Sequence, residues 1–213
     1  MMQIIGGILS DCLSVKGVPT GAAGAAIGKM MSKRHDLLRE VIRSELRQGN
    51  FENIDQDELV SIFFRLIRDA EEGVARNNLR LMARIINGMA EKGALKAPSF
   101  LKYANILANL TEDEIKVLAV MAGLNWATFM PYETRKQFIE AGIENYQAVQ
   151  QALLRTGLVT LRLDAKIIPE KPEMRKMYGA SDKVDANQIF TLTPLFSEIE
   201  KYLEAFNVDK EAA

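Results

Sequence analysis

The sequence predicts a mainly α fold: an N-terminal helical region followed by a C-terminal domain with a two-stranded antiparallel hairpin. Three observations predict it. Apolar residues recur at intervals of three and four through most of the chain, as they do on one face of a helix. In "ALLRTGLVTLRLD", residues 152–164, that spacing stops at Gly157 and alternation begins, with Val159, Leu161 and Leu163 on one side and Thr160, Arg162 and Asp164 on the other. A second alternating stretch, "QIFTLT", precedes a well-capped last helix.

The N-terminal stretch 1–31 reads as a Gly/Ala-rich leader. Gly17, Gly21, Gly24 and Gly28 would let another backbone approach closely, so a homo-oligomer contact through this region is one expectation and a flexible leader the other. Asp11 and Lys16 interrupt its apolar runs well short of the roughly 20 residues a membrane-spanning helix needs, and no basic segment precedes them, so neither a stable membrane span nor secretion is expected.

Residues 32–96 read as a helical domain. Leu37, Leu38, Val41, Ile42 and Leu46 mark the buried stripe of its first helix, which should end near Gly49. Arg39, Arg43 and Arg47 form a second stripe, interleaved with Asp36, Glu40 and Glu45 at pairing distance, so a solvated, salt-bridged face is expected. His35 is expected at a solvated helix start. Asp55 and Glu58 resemble a capping box ahead of Leu59, Ile62, Phe63, Leu66 and Ile67, and Gly73 marks a break. The next helix carries Leu79, Met82, Ile85 and Ile86 inward, with Asn77, Asn78, Arg80 and Arg84 on an exposed face.

Residues 97–109 form a connecting helix with Pro98 in its first turn, and a domain boundary is placed between Gly93 and Leu110. Residues 110–213 then read in the order capped helix (Thr111 with Glu114), middle segment, helix "ENYQAVQQALLRTG", strand, long polar segment, strand and last helix, the last opened by Thr193 and Pro194. Three helices, two strands and a helix is the layout of a winged helix-turn-helix. Gly157 would end the third helix in a left-handed conformation and release the chain into the wing. Trp126 and Phe129 are expected in the core.

The motifs "LTEDEIKVLAVM", "ALLRTGLV" and "IFTLTPLFSEIEKYL" resemble, in order and spacing, bacterial winged-helix proteins over about residues 110–207. The helical N-terminal half followed by this arrangement also looks like the abortive-infection alpha family of bacterial and phage-borne proteins. The first resemblance implies DNA binding and transcription regulation; the second implies a part in phage defence.

The third helix offers Gln147, Gln150, Gln151 and Arg155 as base readers, since a carboxamide pairs bidentately with adenine and a guanidinium with guanine. Arg135, Lys136, Arg162 and Lys166 are the candidate phosphate contacts. The alternative is a protein-interaction module or homo-oligomeric scaffold, for which the long wing of residues 165–187 supplies Met174, Met177 and Tyr178 as partner contacts. Charge excludes a global field for nucleic acid: 27 Lys and Arg face 28 Asp and Glu.

Catalysis is not expected. No phosphate loop, nucleophile elbow or H-E-x-x-H motif occurs, and the acidic clusters 55–58 and 112–114 lie at helix starts, where negative charge is favourable. One cysteine, Cys12, read as a small apolar residue, and one histidine give neither an intrachain disulfide nor a metal site of usual type, so no cofactor or metal is expected and a reducing cytoplasmic compartment is.

Overall fold

The computed structural model describes residues 22–46, 51, 54–123, 131–168 and 183–203. Among them the chain is mainly helical, with a two-stranded antiparallel hairpin near the C-terminal end. The helices are α1 (Ala22–Glu45), α2 (Gln56–Glu72), α3 (Arg76–Glu91), α4 (Ala97–Leu107), α5 (Glu112–Gly123), α6 (Pro131–Glu140), α7 (Tyr146–Leu153) and α8 (Pro194–Glu200); the strands are β1 (Val159–Ile168) and β2 (Lys183–Leu192). Two compact units result, one of Met1–Ile115 with Glu198–Ala213 and one of Lys116–Ser197.

In the first unit α1 packs on α2 and α3, and α4 packs on α2 and α3. Helix α1 starts ten residues before the expected leader boundary, because Ala22, Ala23, Ala25 and Ala26 favour the helix by more than Gly24 and Gly28 oppose it. Its start at Ala22 leaves Gly17 and Gly21 outside the described residues. The buried stripes fall as their spacing predicts: Leu38, Val41 and Ile42 on α1, Ile62, Phe63, Leu66 and Ile67 on α2, and Leu79, Met82, Ile85 and Ile86 on α3. Helix α4 buries Phe100, Tyr103, Ala104 and Leu107, so this unit runs on to Ile115 and the division falls later than the expected boundary before Leu110.

Three polar arrangements differ from expectation. His35 is buried, with its Nε2 3.0 Å from Glu71 Oε1 on α2, so it packs inward and is not solvated. Glu40 and Glu45 pair across to α3 instead of along their own helix: Arg76 bonds Glu40, while Arg80 Nε and Arg84 Nε lie 2.7 and 2.8 Å from the two oxygens of Glu45. Only Arg39 and Asp36 pair locally, at 2.8 Å. Asn78 is buried, not exposed, and its Nδ2 donates to Leu107 O at 2.6 Å and Leu110 O at 2.7 Å.

Helix termini are satisfied in ways that tie elements together. Asp55 Oδ1 accepts from the N–H groups of Asp57 and Glu58 at 2.9 and 3.2 Å. Glu58 does not complete the box; its carboxylate accepts the N–H of Ala97, an orphan donor at the start of α4. Gly73, at φ 93°, closes α2 with bonds from its own N–H to Ala70 O and from Val74 N to Asp69 O. Thr111 and Glu114 form the full reciprocal box at α5, Thr111 N donating to Glu114 Oε2 at 2.8 Å and Glu114 N to Thr111 Oγ1 at 3.2 Å.

The second unit buries Val117, Leu118, Met121, Phe138, Leu153 and Phe196, among others. Its hairpin pairs Val159 with Leu192, Leu161 with Phe190 and Leu163 with Gln188, continuing to Ile168 with Lys183. The strands are longer than the alternating stretches suggested. Trp126, Phe129 and the wing tip, residues 169–182, lie outside the described residues.

Candidate nucleic-acid interface

Helix α7 and the hairpin that follows it hold the residues singled out from the sequence. Tyr146, in the first turn of α7, stacks on Phe138 of α6 with ring centroids 4.7 Å apart and planes within 4°. The inward side of α7 carries Gln150 and Leu153, three residues apart and both buried. Gln150 Nε2 lies 3.8 Å from Met121 on α5. A base reader must reach solvent, so Gln150 leaves the candidate set and becomes a packing residue.

Gln147, Gln151 and Arg155 lie at i, i+4 and i+8 and are all exposed, forming one stripe on the outward side. Arg155 falls in the 3₁₀ turn Leu154–Thr156 that extends α7, and its Nη1 donates to Ala152 O at 2.8 Å. A cation there satisfies a late carbonyl and suits the negative end of the helix.

Gly157 sits at φ 72°, left-handed as its position after the helix demands. Thr156 Oγ1 donates to Leu153 O at 2.6 Å and accepts Leu158 N at 3.1 Å. From the far end of the hairpin, Thr193 Oγ1 donates to Gly157 O at 2.7 Å and Thr193 N to Leu158 O at 3.0 Å. The same hydroxyl accepts Phe196 N at 3.3 Å and caps α8. One threonine thus joins the exit of α7, the last rung of the hairpin and the start of α8. The sequence marked Thr193 as a cap; its second bond joins residues 36 apart and has no local signal.

The candidate phosphate contacts do not converge. Lys136 is exposed on α6 with its Nζ 3.4 Å from Glu140. Arg135 is on α6, Arg162 is exposed on β1 opposite Ile189, and Lys166 is on β1 opposite Asp185. Met174, Met177 and Tyr178 lie outside the described residues. The unit as a whole, residues 116–197, carries 10 Lys and Arg against 8 Asp and Glu, a weak positive bias.

Alternation made Val159, Leu161 and Leu163 the buried side of β1. Only the root is covered: Val159 is 3% exposed, Leu161 37% and Leu163 62%. Among the described residues no group of three or more His, Cys, Asp or Glu could hold a metal ion, and no helix is long and apolar enough to cross a membrane. Compared with known protein families, curated proteins and solved structures, the chain matches none of them.

Proposed function

We propose that the protein is a non-enzymatic winged-helix regulator that binds DNA through α7 and the hairpin. The observation that carries this reading is the exposed Gln147–Gln151–Arg155 stripe on a helix that runs straight into a hairpin. Side chains of this kind read adenine and guanine edges in the major groove, and a groove about 12 Å wide admits a helix. Arg162 and Lys166 lie on the polar side of β1, where a backbone phosphate would meet them.

The dispersion of cations sets the magnitude. With Arg135, Lys136, Arg162 and Lys166 as the only phosphate contacts, the slope of log K against log salt is about −3.6, so affinity falls about a hundredfold between about 50 and 200 mM salt. Fluorescence anisotropy against a random-sequence duplex pool, followed by selection of bound sequences, tests this. Gln147→Ala and Gln151→Ala should relax sequence preference at single positions, whereas Arg162→Ala should weaken all sequences alike. No binding at the low-salt end overturns the proposal. A partner retained at high salt, with no DNA in the complex, transfers the stripe to protein recognition.

A further inference from the structure

The two faces of the hairpin are chemically opposite. Its register places positions 159, 161, 163, 165 and 167 of β1 opposite 192, 190, 188, 186 and 184 of β2 on one face. Nine of those ten positions are apolar, the tenth is Gln188, and none is charged. The root of this face is covered, since Val159 and Phe190 are buried, but Leu161 and Leu163 are exposed. A two-stranded ribbon has no second layer of its own, and one with an open apolar face is marginal in water.

We propose that this face is a self-association surface, on which the hairpin of a second copy packs face to face about a two-fold axis. A two-fold contact requires a patch complementary to itself, and a face without charge meets its copy with no like-charge repulsion. The order of sizes also matches. With the axis through the Leu163/Gln188 rung and the strands antiparallel, the large Leu161/Phe190 rung of one copy opposes the small Ala165/Ala186 rung of the other. Position 188 then opposes itself, and a carboxamide both donates and accepts.

The area fixes the strength. Ten residues at about 3.3 Å and two strands about 5 Å apart give a face of about 330 Å² per copy, against about 800 Å² per partner in a lasting complex. Self-association is therefore weak and concentration-dependent. It does not rest on DNA binding, which would use α7 and the polar side of the ribbon.

Sedimentation velocity on the full chain from about 1 to about 300 μM tests it, a range bracketing the affinity that so small an interface supports. The expected result is a rise from the 23.8 kDa monomer toward twice that mass. Leu163→Glu and Leu163→Lys each stay monomeric throughout, and their equimolar mixture re-forms the dimer. Leu163→Gln, milder and at an exposed position, keeps the unfolding curve unchanged and weakens the dimer about tenfold. Wild-type protein that remains monomeric at every concentration overturns the proposal, as does a dimer indifferent to the Leu163 substitutions. Two monomeric charge variants that fail to pair when mixed overturn the face-to-face arrangement.

Discussion

Replacing Asn78 should be among the most damaging single changes in the first unit, although the residue touches no candidate site. Its carboxamide is 2% exposed and donates to two carbonyls, Leu107 O at 2.6 Å and Leu110 O at 2.7 Å, tying the N-terminal turn of α3 to the end of α4. In Asn78→Ala both carbonyls lose that donor. Leu107 O keeps a longer bond from Leu110 N, at 3.3 Å, so its loss is partial. An unsatisfied buried group costs about 1–3 kcal/mol, and the better helix propensity of alanine returns about 0.5 kcal/mol, leaving a net loss of about 2–3 kcal/mol. Urea unfolding reads this as a midpoint lowered by about 1 M at a slope near 2 kcal/mol/M. A loss below about 0.5 kcal/mol would refute the reasoning. Asn78→Asp gives a second, pH-resolved check, because a carboxylate cannot donate and the folded state must hold it protonated. Its folded pKa is then raised above the unfolded value of about 3.9, so its stability approaches wild type below that pH and is lost as pH rises.

Glu45 should make the first unit acid-sensitive. Burial alone pushes its carboxyl up, but the hydrogen bonds and charges of Arg84 and Arg80 outweigh burial and hold it below the usual value of 4.5. A depressed carboxyl contributes stability above its unfolded pKa and loses it as pH falls through the folded one, so the gap between wild type and Glu45→Gln should close below about pH 4.5 in urea melts. A gap of equal size at pH 3 and pH 7 contradicts this. Gly157→Ala should cost about 1–2 kcal/mol in a thermal or urea melt, all of it from the left-handed backbone. An added Cβ there meets only Leu195 Cδ2 at 3.8 Å, so Gly157→Asn, which tolerates that conformation better, should recover part of the loss.

Periodicity made the helices and their buried stripes legible, because the side chains of a helix share one face whatever they pack against. Gly157 and Thr193 were legible as terminators, since a left-handed residue and a hydroxyl cap are local needs. What stayed hidden was pairing between elements. The spacing of Glu40 and Glu45 among arginines reads as intrahelical, yet both reach α3, and nothing within α1 could say so. His35 and Asn78 look solvated from their neighbours; their partners lie 36 residues or fewer away on other elements, and burial depends on those partners. Gln150 and Gln151 are alike in composition and adjacent in sequence, and only the packing of α7 divides them into one buried and one exposed carboxamide.

The hairpin shows the converse limit, where the local pattern was right and its usual meaning was not. Alternation in β1 normally signals a strand with one face on a core, but the first unit's helices and the root at Val159 and Phe190 leave Leu161 and Leu163 outside. The pattern therefore specifies an apolar face without specifying what covers it. Register turns that face into a definite object: a slip of one residue would move Arg162 to the apolar side and Leu161 to the polar one. The residues that forbid the slip are at the root, where Gly157 sets the direction of the chain and Thr193 bonds both Gly157 O and Leu158 O. The stripe on α7, the polar side of β1 and the apolar side of β1 are thus all indexed to one junction, and whatever each face binds, it is this junction that keeps them apart.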